Sequence, residues 1–101
     1  MKRLLVVSTL ALSLGAATAQ AGGYAGQALA KTARVTLAQA TKTALKTRPG
    51  KITDKELEKE AGGSGLRYSF DIKTAGVTYE VGVDAQTGKV LEHAPEGKNP
   101  D

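Results

Sequence analysis

Two stretches of strict alternation constrain this chain most. Leu66, Tyr68, Phe70 and Ile72 alternate with Arg67, Ser69, Asp71 and Lys73. Val77, Tyr79, Val81 and Val83 alternate with Thr78, Glu80, Gly82 and Asp84. A period of two puts the apolar set on one side of a strand and the polar set on the other. Two such strands present a dry face that another layer must cover. Thr74-Ala75-Gly76 reads as the loop between them. Asp84-Ala85-Gln86-Thr87-Gly88 reads as a turn, with Gly88 suited to positive φ. Lys89 to Glu92 then returns as a short last strand.

The covering layer lies upstream. Thr36-Leu37-Ala38-Gln39 fits the S/T-x-x-E/Q capping box, with Val35 at the staple position. Leu37, Ala40, Thr41, Ala44 and Leu45 share one helical face, whereas Gln39, Lys42, Thr43 and Lys46 share the other. The helix is expected to run to about Thr47, before Pro49-Gly50. Its inner face is mostly Ala, which predicts a close approach to the sheet. Residues 22–34 are small and polar and read as a flexible lead-in, with a frayed helical turn around Ala28 to Ala33. Lys51 to Glu60 is ambiguous. Thr53-x-x-Glu56 is a second capping-box match, yet Thr53, Lys55 and Leu57 also alternate. As a strand it would be a charged, guarded sheet edge. Ala94 to Asp101 reads as a polar, disordered tail.

The first 21 residues read as an export signal: basic Lys2 and Arg3, an apolar run from Leu4 to Leu14, Gly15, and two overlapping A-x-A sites. The run is too short for a transmembrane anchor. Cleavage is expected after Ala21, with Ala19 as the second choice, and the product is expected in the periplasm or secreted, with no stable membrane insertion. Without Lys2 and Arg3, 12 basic residues face 10 acidic ones. That balance is too even to argue for a nucleic-acid partner. The absence of Cys excludes a disulfide framework, a thiolate zinc site, a cysteine nucleophile and a lipid-anchored lipoprotein. A chain of 101 residues has room for one small domain with a thin core.

The polar residues offer weak chemistry. His93 with Glu92 and Glu96 is too sparse a ligand set for a metal. Asp54, Glu56, Glu58 and Glu60 would share one strand face, which reads as a solvated edge rather than an acid–base pair. Ser64 has no His with an orienting partner, and Gly62-Gly63-Ser64-Gly65 lacks the Lys-Ser/Thr ending of a phosphate loop. Lys42, Lys46 and Arg48 form a basic stripe on the helix. Tyr68 and Tyr79 are expected in the core and Tyr24 on the surface. No catalytic, cofactor-binding or metal-binding residue is assigned, and no cofactor is expected.

The whole pattern resembles a PepSY domain: VTLAQATKTAL, then Pro49-Gly50-Lys51-Ile52, KELEKE, LRYSFDI and VTYEVGVDAQTGKVLE. The most specific part is Tyr79-Glu80-Val81 through Val83-Asp84-Ala85 to Thr87-Gly88-Lys89-Val90. The resemblance implies a domain over 35–93 and makes 51–60 the first strand. The fold is then α+β, one N-terminal helix on an antiparallel three- to four-stranded meander. PepSY domains occur in propeptides of secreted thermolysin-type metallopeptidases, where they are associated with inhibition and assisted folding, and also as small exported proteins. The resemblance therefore implies a non-enzymatic binding module whose partner is a secreted or envelope peptidase, acting in trans, since the chain has no H-E-x-x-H motif. The alternative is a protein that binds a small apolar ligand or serves an envelope-structural role. Docking is expected at the charged strand Lys51–Glu60 or on the Arg67/Ser69/Asp71/Lys73 row.

Overall fold

A computed structural model describes residues 23–96. The signal reading of residues 1–21 and the end of the polar tail, 97–101, lie outside the described residues. A 3-10 helix, Gln27–Thr32, leads into α1, Leu37–Thr47. Four strands follow: β1, Lys51–Lys59; β2, Leu66–Thr74; β3, Val77–Asp84; and β4, Val90–Pro95. They form one antiparallel sheet in the order β1-β2-β3-β4. This is the α+β helix-on-meander architecture that the alternation and the capped helix call for.

The helix starts as its sequence dictates. Thr36 Oγ1 accepts from the Gln39 N–H at 3.1 Å, and Gln39 Oε1 accepts from the Thr36 N–H at 2.8 Å. Two of the four unpaired amides of the first turn are thereby satisfied. Ala40 and Ala44 are wholly buried against the sheet, and α1 lies over β2 and β3 and touches β4. The core beneath it is Tyr68, Phe70, Ile72, Val81 and Val83, with Leu57, Leu66 and Ala85 around them. The Tyr68 hydroxyl donates to the Val35 carbonyl at 2.7 Å, which keeps its polar end paired at the helix entrance.

Several expectations need correction. The lead-in is ordered: besides the 3-10 helix, Ala25 bridges Glu56 in parallel sense, and the linker is tied to the β3–β4 turn. There the Ala85 carbonyl accepts from the N–H groups of both Arg34 and Val35, and the Gln86 amide donates to Thr32 O at 2.8 Å. The last strand extends to Pro95, so Ala94 and Pro95 are strand, not tail. Tyr79, expected in the core, is half-buried at its rim, and Tyr24, expected on the surface, is half-buried against the core. Arg48 leaves the basic stripe and folds over the Tyr79 ring, 3.8 Å from its centroid.

Candidate functional site

Strand β1 is an edge strand, and its outer side is divided. The Leu57 N–H donates to the Ala25 carbonyl at 2.9 Å, so the lead-in covers the upper half. Gly26 makes this approach possible. It sits at φ +84°, and a Cβ there would run into the Leu57 carbonyl. Below it, Gly23 and Tyr24 flank Ile52 to Lys55 across a shallow hollow. The strand period of two turns the Lys55 N–H and C=O to the same outer side as those of Leu57, and the parallel bridge between Ala25 and Glu56 sets the Ala25 N–H against the Lys55 carbonyl.

A bulge at Thr53 shapes this half. Ile52 pairs with Ile72 and Asp54 with Asp71, leaving Thr53 unmatched. Ile52, Lys55 and Leu57 all therefore lie on the helix side. Because α1 sits over β2 and β3, it does not reach the lower end of β1. A groove of about 480 Å³ remains, lined by Leu37, Ala38, Thr41, Ile52 and Lys55. A smaller hollow of about 190 Å³ continues around the edge past Tyr24, Thr53 and Asp54. The sequence could not reveal the groove, because it depends on where α1 lies across the sheet.

The outer face of the sheet is acidic. Asp54, Asp71 and Glu80 stand directly abreast on β1, β2 and β3, and the next row holds Glu56, Ser69, Gly82 and Glu92. Asp71 is raised above the ordinary carboxylate range by burial, then by Glu96 and Asp54. Glu80 is raised by burial, then by Glu92, Asp71, Glu96 and Glu58. Arg67, expected on a wet face, is buried. Its guanidinium crosses the space left by the missing side chain of Gly82 and pairs with Glu92 at 3.2 Å. It also donates to Ala61 O at 3.1 Å. Ser69, also buried, donates to Glu58 at 2.8 Å. Of the expected row, Asp71 and Lys73 alone stay accessible.

The remaining polar candidates are bound into the framework. Ser64 donates its hydroxyl to Asp84 Oδ1 at 2.8 Å and its N–H to Oδ2 at 2.7 Å. Asp84 also accepts from the N–H groups of Gln86 and Thr87. Burial pushes this carboxyl up, but the four donors outweigh burial and hold it well below the usual range. His93 Nε2 accepts from Arg48 Nε at 3.1 Å. Among the described residues no group of three His, Asp or Glu side chains is placed to hold a metal. Asp54, Glu56 and Glu58 do share a face, and Glu60 falls beyond the end of β1. Sequence reasoning missed the long-range Ser64–Asp84 link, although the short-range Asx turn of Asp84 was legible in its spacing to Gln86 and Thr87.

No curated protein and no solved structure matches the chain. The family model described as "Peptidase propeptide and YPEB domain", PepSY, matches residues 34–94. That span runs from the residue before the α1 staple to the penultimate residue of β4, and so takes in the whole helix and nearly all of the sheet. Its members are propeptide- and inhibitor-like modules, generally non-catalytic, often tied to peptidase inhibition. On that match, the chain belongs to the PepSY family.

Proposed function

We propose that this protein is an exported, non-enzymatic binding module that docks on a secreted or envelope peptidase and modulates it. The family match over 34–94 carries the reading. The disposition of polar groups supports it. Ser64, Asp84, Arg67 and His93 are taken up in contacts that hold loops and strands together, and what remains accessible is a set of surfaces: a groove between α1 and β1, and an acidic sheet face. Such surfaces suit protein docking more than small-molecule turnover. The export signal read in residues 1–21 supports a site of action where secreted peptidases work, and no described helix is long and apolar enough to cross a membrane.

The test is direct. Purified protein is titrated into a thermolysin-type metallopeptidase while cleavage of a quenched fluorogenic peptide is followed. In parallel, crosslinking in envelope extract is read by mass spectrometry. Saturable inhibition, with a peptidase enriched over an edge-scrambled control, is the expected result. No inhibition and no specific protein partner would sink the reading.

A further inference from the structure

We infer that the free edge of β4 at His93 is a docking site for an extended segment of a partner protein, and that the Arg48 guanidinium reads a carboxylate on that segment. This deepens the modulator reading and rests on it for the nature of the partner.

The backbone at this edge is unpaired. The Asp84 N–H donates to the Lys89 carbonyl, so Asp84, Gly82 and Glu80 turn their backbone groups toward β4, and Val81 turns its own toward β2. The outward Leu57 N–H on β1 leads to the same phase through the registers of β1, β2 and β3. His93 stands opposite Val81. Its N–H and C=O therefore face away from β3, on the side where β4 has no further strand among the described residues. Pro95, two residues on, offers a carbonyl there but no N–H, so the ladder is short. Strand addition draws its affinity from such groups.

The cation beside this edge is held in place and has donors to spare. Arg48 caps the end of α1. Its guanidinium lies on the Tyr79 ring, 3.8 Å from the centroid, and its Nε donates to His93 Nε2 at 3.1 Å. The imidazole leans on Tyr79 in turn, with ring centroids 6.0 Å apart. Among the described residues no carboxylate pairs with the Nη groups. The acids of β3 and β4, Glu80, Asp84 and Glu92, belong to the outer face, and residues 23–50 contain none. A stacked guanidinium with its Nη groups free is pre-organised for a carboxylate, which it grips through two parallel bonds. An added strand delivers one. The residue opposite His93 would carry its Cβ about 5 Å from that of His93, on the helix side. A Glu there extends toward the guanidinium that His93 already holds.

The same features disfavour other occupants. A second copy paired on β4 about a two-fold axis at His93 would set both Arg48 guanidinia on one side of the joined sheet, close together, where like charges repel. A free anion would meet the guanidinium but leave the His93 backbone unused.

The probe is the blocked hexapeptide TVEVTV, titrated into ¹⁵N-labelled protein, with TVQVTV as its control. Saturable shifts are expected at the His93 and Ala94 amides and at the Arg48 Nε–H. The acidic peptide should bind about fivefold tighter than its neutral control, the scale of one partly exposed ion pair. Arg48→Gln should erase that preference while both peptides still bind. The peptide pair on the parent protein needs no variant, so a misfolded Arg48→Gln leaves the test intact. TVEVTV methylated on its backbone nitrogens should not bind. Equal affinity of the two peptides for the parent protein, equal binding of the methylated peptide, or shifts at Asp71 and Glu80 or at Ala38 and Ile52 instead would each overturn the site. So would equal shifts with glutarate alone, which mean an anion site without a strand. Shifts at His93 that grow with protein concentration and no peptide mean a second copy, and overturn it too. Peptidase inhibition undiminished by Arg48→Gln removes this site and leaves the modulator reading standing. Peptide binding at the edge with no peptidase inhibited does the reverse.

Discussion

Ser64 and Asp84, twenty residues apart, are joined twice: the serine N–H and hydroxyl each donate to a different oxygen of the same carboxylate, at 2.7 and 2.8 Å. The β1–β2 loop and the β3–β4 turn are thereby clamped at one end of the sheet. Asp84 is 1% exposed, so its charge depends on these donors. Asp84→Ala should cost about 3 kcal/mol, the scale for stranding several donors of a buried charged network. Ser64→Ala should cost about 1–2 kcal/mol, because the backbone donors remain. Urea denaturation of the two variants checks the order. Equal losses would mean that the serine side chain carries the clamp.

The acidic face gives stability an unusual pH profile. Asp71 and Glu80 are raised in the folded state by burial and mutual repulsion. The folded chain therefore binds more protons than the unfolded one between the ordinary carboxylate range and these raised values, and stability rises as pH falls through that window. Asp84 has the opposite sign. Its carboxyl is held low, so its contribution is present above about pH 4 and is lost as pH falls further. Thermal melts should show a maximum at mildly acidic pH rather than at 7. Asp71→Asn should stabilise the protein at pH 7 by about 0.2–1 kcal/mol, the worth of a like-charge cross-strand pair, and flatten the slope above the ordinary carboxylate range. A profile already flat in the parent protein would refute this account.

Local signals made most of this fold legible. The Thr36–Gln39 box and the alternation in β2 and β3 each need only a few neighbouring residues. Strand β1 was not legible from its own residues. Ile52 and Leu57 are five apart, an odd spacing that would put them on opposite faces of a regular strand, and the bulge at Thr53 is what brings both to the helix side. The lead-in was missed because it binds partly through backbone at Ala25, and the apolar side chains that it packs on the core, Tyr24, Leu29, Ala30 and Ala33, follow no regular helix or strand period. Of the candidate site, the charged edge was foreseen. The lead-in that flanks it, and the groove between α1 and β1, are products of tertiary placement.

Gly26→Ala tests the covered half. The new Cβ would meet the Leu57 carbonyl, at a φ that Ala resists. The lead-in should detach while the sheet stays folded. Hydrogen exchange at the Leu57 amide should then accelerate on the order of tenfold, with core amides such as Phe70 little changed. Slow exchange at Leu57 in the variant would show that the Ala25 bridge does not protect it.

Where α1 sits is tested by adding the same side chain at two helix positions. Ala44 is wholly buried against β2 and β3, so Ala44→Leu forces bulk into filled space and should cost about 1–3 kcal/mol. Ala38 is six residues earlier on the same helix, exposed, and lines the groove. Ala38→Leu should find room beside Leu37 and Ile52 and change stability by no more than about 0.5 kcal/mol, with a gain the favoured sign. The contrast measures the offset of the helix toward β3. If both variants lose the same stability, α1 covers β1 as well and the groove is closed.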